Sequence, residues 1–223
     1  MSSRDAIFGK LRRSLGVTGA EPSRNAAVDA RLRTRPRGVI PARGQLPAAG
    51  RLALFVRMAE AASASVVRLP DAAQVPAAVA DLLRQRNLPA VVRMGTDPRL
   101  AAMPWSQTQI ETKRGPSDSN DLVSVGHALA GVAESGTLVL TSGRDNPTTL
   151  NFLAELQVVV LNAADIAGDY ETVWDRLRPP GGEGTLPRTV NFITGPSRSA
   201  DIEQTLLLGA HGPRALHIIV VGG

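Results

Sequence analysis

The sequence predicts an α/β protein built on a mostly parallel central sheet covered by helices on both faces. Three observations carry that expectation. Apolar runs of strand length, such as Leu156-Gln157-Val158-Val159-Val160-Leu161, lack the polar alternation of a half-exposed strand. Stretches of helical period lie between them, and Gly and Pro punctuate the junctions.

Taken in order, Ala48 to Ala62 offers a helix, Ser65 to Leu69 a strand, Val75 to Gln85 a helix and Ala90 to Met94 a strand. Leu138-Val139-Leu140, bounded by Gly136 and Gly143, is a further strand, followed by a helix near Thr148 to Glu155. The run to Leu161 is a buried strand, and Asp165 to Leu177 returns as a helix. After the loop Pro179-Pro180-Gly181-Gly182-Glu183-Gly184 come a strand at Thr189 to Ile193 and a helical start after Gly195-Pro196-Ser197. Leu216 to Val221 is the closing strand, and no internal repeat is evident. In folds of this kind ligands sit at the carboxyl ends of the strands.

This body is expected to span residues 47–223, preceded by a basic arm over residues 1–46. Ser3 to Leu15 places Ile7, Phe8, Leu11 and Leu15 at helical spacing, an amphipathic helix in want of a surface to cover. Residues 16–50, rich in Pro, Gly and Arg, read as an extended connector with a short helix near Asn25 to Arg33. Residues 1–51 hold 11 Lys/Arg against 3 Asp/Glu, and residues 52–223 hold 14 against 17, so the positive charge is concentrated in the arm. Such an arm is a solvated segment, a docking surface for an acidic partner, or a nucleic-acid contact, and nucleic acid is the least expected of the three.

Composition closes several other routes. Aromatic residues make up only 3%, which argues against stacking platforms for single-stranded nucleic acid. There is no cysteine, so these residues supply no disulfide, no thiolate nucleophile and no ligand for an iron–sulfur cluster. The amino terminus lacks the apolar core of a secretory signal, and no window approaches the roughly 20 apolar residues of a membrane span, so a cytoplasmic protein is expected. Dinucleotide-binding, P-loop and serine-hydrolase fingerprints are missing.

Two segments carry the candidate chemistry. In Gly131-Val132-Ala133-Glu134-Ser135-Gly136-Thr137, a carboxylate and two hydroxyls stand just before a buried strand. Glu134 can serve there as nucleophile, general base or polar clamp, or as a turn carboxylate accepting backbone N–H bonds. In the second, Ile193-Thr194-Gly195-Pro196-Ser197-Arg198-Ser199-Ala200-Asp201-Ile202-Glu203, a glycine turn between strand and helix start makes an anion site, with Ser197, Ser199 and Arg198 contributing. Asp201 and Glu203 can instead cap that helix end themselves.

His211 lies between Gly209-Ala210 and Gly212-Pro213-Arg214, either facing a ligand or hydrogen-bonded within a turn. His217 in the closing strand reads as a packing or edge residue, and His127 is ambiguous. The three histidines show no metal-binding spacing, and no metal site is expected.

The Glu134-Ser135-Gly136-Thr137 string before an apolar strand resembles the LUD domain of the lactate-utilisation protein C family. So does the later combination of Gly195-Pro196-Ser197, Ala200-Asp201-Ile202-Glu203 and Gly209-Ala210-His211-Gly212-Pro213-Arg214. The resemblance covers roughly residues 47–223. It implies a three-layer α/β/α fold of the NagB/RpiA/CoA transferase-like kind, related to glucosamine-6-phosphate deaminases, ribose-5-phosphate isomerases and coenzyme A transferases. It also implies a part in oxidising L-lactate to pyruvate beside two iron–sulfur partners, the lactate-utilisation proteins A and B. A chain without cysteine suits a cluster-free subunit of such a system.

On this resemblance Glu134 is the catalytic candidate. Ser135, Gly136, Thr137, Gly195, Ser197, Asp201 and His211 are the ligand-binding candidates, for a small organic acid. Two departures stand out: Ser135 occupies a place where the family pattern has Thr, which keeps the hydroxyl, and residues 16–50 are richer in Arg and Pro. An alternative is a stand-alone enzyme resembling coenzyme A transferases or sugar-phosphate isomerases, using Glu134.

Overall fold

A computed structural model describes residues 2–178, 186–199 and 207–222. They form two compact units, residues 1–39 and residues 40–223. The first holds two helices. Helix α1 (Ser3–Leu15) starts on a reciprocal cap between Ser2 and Asp5 and ends at Gly16 in the left-handed region, with Ile7, Phe8, Leu11 and Leu15 exposed. Helix α2 (Pro22–Thr34) has proline in its first turn, so the expected connector contains more helix than its composition suggests.

The second unit begins with a strap, residues 40–46, and then α3 (Ala48–Ala61), β1 (Ser65–Leu69), α4 (Val75–Gln85), β2 (Val91–Met94), α5 (Pro98–Ala101) and β3 (Glu111–Arg114). There follow β4 (Val123–His127), β5 (Ala130–Val132), β6 (Thr137–Thr141), β7 (Leu156–Asn162), β8 (Ile166–Ala167) and α6 (Tyr170–Leu177). The last elements are β9 (Val190–Ile193), β10 (Arg198–Ser199), β11 (Leu207–Leu208) and β12 (Ala215–Val221).

Six strands form a wholly parallel sheet in the order β1-β12-β7-β4-β2-β3. Because successive side chains alternate faces, Val158 and Val160 of β7 pack toward α4, whose Val75, Val79, Leu82 and Leu83 are buried. Val159 and Leu161 pack the other way, against Leu52, Phe55 and Ala59 of α3 and Leu138 and Leu140 of β6. Burial on both faces explains the continuous apolar run, and truncating a fully buried side chain such as Phe55 to Ala costs about 3–5 kcal/mol.

Beside α3 lies a second sheet of four strands, β8-β5-β6-β9, in which β5, β6 and β9 run antiparallel. The strand expected at Leu138 to Leu140 belongs here and not to the parallel sheet. A small third core of Val132, Val139, Val173 and Leu177 joins this sheet to α6.

Three expected helices differ. Thr148 to Glu155 gives only a 3-10 turn, Thr148–Asn151, set off by Pro147. The stretch Asp165 to Leu177 is divided, because Ile166–Ala167 pairs with β5 and Asp169 then caps α6 by accepting from the Thr172 N–H. After Ser197 the chain continues as β10, paired antiparallel with β11, so Arg198 and Ser199 are extended where a helical start was expected. Asp201 and Glu203 lie outside the described residues.

The strap is fixed by backbone contact. A Cβ on Gly44 would come within 2.1 Å of the Gly168 carbonyl oxygen, and one on Gly168 within 2.3 Å of the Gly44 oxygen. Gln45 also donates to the Asp169 carboxylate at 2.9 Å.

Candidate functional site

The turn between β5 and β6 sets the first candidates in place. Gly136 has φ of 67°, and a Cβ there would lie 2.2 Å from the backbone nitrogen of Ala59, so only glycine lets this turn seat on α3. Glu134, 4% exposed, precedes it and donates its N–H to Gly168 O at 3.3 Å. The Oε2 of its carboxylate is buried without a hydrogen bond and stands 3.9 Å from Nε of Arg43 on the strap. A buried carboxylate oxygen held only by a long ion pair is under-satisfied, the condition of a group that can accept a hydrogen bond from a ligand.

Ser135 and Thr137 belong to a knot of hydroxyls. Ser135 Oγ meets Thr137 Oγ1 at 2.7 Å and Tyr170 Oη at 2.8 Å. Thr137 Oγ1 also meets Tyr170 Oη at 2.8 Å and Thr194 Oγ1 at 2.6 Å. Four hydroxyls carry four protons, and these four contacts use one each, so the knot satisfies its own donors. It ties the β5–β6 turn to α6 and to the end of β9. Tyr170 drew no attention in the sequence, and Thr194, although inside the second candidate segment, was not among the site candidates.

One residue past Thr194, Gly195 turns with φ of 72°, and a Cβ there would lie 2.0 Å from the Ala62 carbonyl oxygen. That oxygen accepts from the Arg198 guanidinium at 2.8 Å. The Ser197 N–H donates to Pro213 O at 2.9 Å and the Gly209 N–H to Ser197 O at 3.0 Å, drawing the two glycine-rich segments together. Gly195, Ser197, Arg198 and His211 therefore line one cleft of about 280 Å³. Glu134, Ser135, Gly136 and Thr137 do not line it, so the predicted site residues fall into two neighbouring groups that meet at Thr194 and Gly195.

The floor of the cleft holds two residues absent from the sequence-based candidates, Asn151 and Gln157. Gln157 is 1% exposed, and its amide nitrogen donates to Asn151 Oδ1 at 3.1 Å. Its signal was visible as the single polar residue in the Leu156 to Leu161 run. Gln157 and Leu216 stand at the beginnings of β7 and β12, so the cleft opens at the amino end of the parallel sheet, opposite to the expectation for such folds.

The carboxyl end carries a different polar group. Asp97, 1% exposed, receives Nε and a terminal nitrogen of Arg99 at 3.0 and 2.7 Å, the Arg99 N–H at 2.9 Å and the Asn146 amide at 3.1 Å. Burial pushes this carboxyl up, but the bonds from Arg99 and Asn146 outweigh it and hold it at about 2. His127 at the end of β4 pairs Nδ1 with Ala128 O at 2.8 Å, and burial, helped by the Arg99 charge, lowers its pKa. His217, buried in β12, pairs Nδ1 with Ser65 Oγ at 2.7 Å, and burial with the Arg86 charge lowers it to about 4. Among the described residues no cluster of His, Asp and Glu could hold a metal ion. No helix there is long and apolar enough to cross a membrane.

The model of the LUD domain family matches residues 52–221. The chain belongs to the LUD domain family. Within it, the chain is 37% identical over 90 residues to Lactate utilization protein C of Shouchella clausii, a match covering 40% of this chain and 39% of that protein. The protein of the same name from Halalkalibacterium halodurans is 34% identical over 118 residues, covering 52% of this chain and 51% of the relative. That of Bacillus subtilis is 38% identical over 91 residues, covering 40% and 38%. These matches span between two fifths and about half the length of the curated relatives.

The fold is similar to the crystal structure of a DUF162 family protein from Deinococcus radiodurans. The TM-score is 0.53 at 20% identity, covering 79% of this chain and 99% of that one. The α/β architecture with its parallel central sheet is thus a fold this LUD-family chain shares with a solved structure.

Proposed function

We propose that this chain is a component of a lactate-utilisation system that oxidises L-lactate to pyruvate, working in the cytoplasm with iron–sulfur partner proteins equivalent to lactate-utilisation proteins A and B. In this reading the chain contributes an organic-acid cleft, with no cofactor of its own, and the partners carry the electrons. The observation that carries it is the convergence of the Gly195–Arg198 and Gly209–Arg214 segments on one cleft, in a chain similar to proteins named Lactate utilization protein C. Arg198 keeps donors beyond its bond to Ala62, and Ser197 and His211 stand beside it, which suits a carboxylate.

The test is to purify the tagged chain from lactate-grown cells and to assay iron and lactate-dependent dye reduction before and after stripping its co-purified proteins. Activity is expected only while an iron-bearing partner is present. Full activity in the isolated chain, or full growth on lactate after clean deletion, would refute the assembly.

A second reading is a stand-alone enzyme, and the unbonded, buried Oε2 of Glu134 favours it. A carboxylate left under-satisfied is primed to act as nucleophile or base on an acyl or sugar-phosphate substrate. Turnover of acyl-CoA or phosphosugars abolished by Glu134→Gln would support this reading, and turnover indifferent to that change would dismiss it.

A further inference from the structure

We infer that Asn151 and Gln157 form the part of the cleft that distinguishes a 2-hydroxy acid from its 2-oxo counterpart. The inference rests on the organic-acid reading above and goes further by naming the functional group recognised. Gln157 sits in the middle of a parallel sheet among valines and leucines, 1% exposed, and Asn151 is 7% exposed. Burying an amide is costly unless its hydrogen-bonding capacity is met. Among the described residues each side-chain amide makes a single hydrogen bond, the one that joins them, and neither leaves a fully buried polar atom unpaired, so the remaining polar atoms face the open cleft.

Two atoms are left with no protein partner among the described residues, the carbonyl oxygen of Gln157, which accepts, and the amide nitrogen of Asn151, which donates. If both amides are rotated by half a turn the bond is preserved and the two unpartnered atoms are again one that donates and one that accepts, so the conclusion does not depend on their orientation. Both residues line the cleft whose rim carries Ser197, Arg198 and His211.

A donor and an acceptor lining one cleft are complementary to a hydroxyl, which offers one proton and lone pairs. With a carboxylate at Arg198 and Ser197, the 2-hydroxyl of lactate donates to Gln157 and accepts from Asn151. The ketone of pyruvate has no proton and leaves the Gln157 acceptor buried and unpaired. Propionate leaves both groups unpaired. Sites built to hydrogen-bond a substrate hydroxyl reject analogues that lack it, because the buried polar groups are stranded.

The experiment titrates the full, nitrogen-15-labelled chain with L-lactate, pyruvate and propionate, following the side-chain amide resonances of Asn151 and Gln157. L-lactate is expected to bind at least about tenfold more tightly than either analogue, the discrimination that one additional hydrogen bond provides. Gln157→Met should erase that preference while keeping the affinity for propionate. Equal affinity for all three acids would overturn the inference and leave the organic-acid reading standing. No saturable binding of any of them would overturn both. Should the methionine variant fail to fold, the ranking of the three acids by the unaltered chain decides alone.

Discussion

The hydroxyl knot around Thr137 and the amide pair at the floor of the cleft lie on either side of Gly195, and both are clusters of neutral polar side chains built on a buried residue, Thr137 in one and Gln157 in the other. They differ in their accounts. The knot has four protons and four contacts that consume them, whereas the amide pair has one bond and leaves the Gln157 oxygen and the Asn151 nitrogen with no protein partner among the described residues. A saturated cluster is a fastening, since nothing in it asks for a ligand. An unsaturated one beside open space is a recognition surface. The polar group at Asp97 falls with the fastenings, because the carboxylate there already accepts from Arg99 and Asn146.

The sharpest ways to break this comparison act on the fastening side. Gly136→Ala forces a side chain into the backbone of α3 at a positive φ, and a loss of about 3 kcal/mol or more is expected in chemical denaturation. His217 gives a pH signature. Its folded pKa of about 4 lies below the ordinary 6.5 of histidine, so the neutral ring favours the native state. Stability should be complete above pH 6.5 and fall as the pH drops toward 4, by roughly 3 kcal/mol, and melts of His217→Gln should lose that slope.

Thr137→Val removes the hydroxyl shared by three partners, and about 2 kcal/mol of destabilisation is expected with binding in the cleft unchanged. Were binding to fall with it, the knot would be part of the recognition surface and the comparison would fail. Asp97 acts at lower pH. Its depressed pKa means that the Arg99 contact is complete above pH 3.8 and lost as the pH falls toward about 2, a decline that Asp97→Asn should abolish in acid-denaturation curves. The smallest effect is expected for Arg43→Ala, less than about 1 kcal/mol, because the cation is largely exposed and 3.9 Å from Glu134.

The sequence disclosed those parts of the fold whose physics is local. β7 and β12 are buried on both faces and read as apolar runs broken by one internal polar residue each, β1 is a half-buried edge strand marked by its valines, and α3 and α4 show their buried stripes at helical spacing. β3, with the sequence Glu-Thr-Lys-Arg, is a polar edge strand and resembles a loop, while β4 mixes Ser, Gly and His with valine because it packs against the Thr148–Asn151 turn. The second sheet escaped notice because β5 and β8 are three and two residues long, too short for any period to emerge.

At the site, the glycine-flanked Ser197 and His211 were read as ligand-facing candidates one by one, and the two do share a cleft. The amide pair did not announce itself, because Asn151 fell within an expected helix and Gln157 within an apolar run. The meaning of each lies in the bond between them.

The position of β12 bears on how this chain reaches its fold. It is the last strand among the described residues, yet it stands between β1 and β7, pairing Ser65 with His217 on one side and Val158 with His217 on the other. Until residues 215–221 arrive, β1 has no neighbour in the sheet, and α3 and α4 flank a gap. Closing it requires contacts about 150 residues apart in sequence, the kind of long-range pairing that slows folding and leaves strand edges bare for longest. During synthesis β1 therefore waits about 150 residues to be joined to the rest of the sheet, by the same strand that begins beside the cleft.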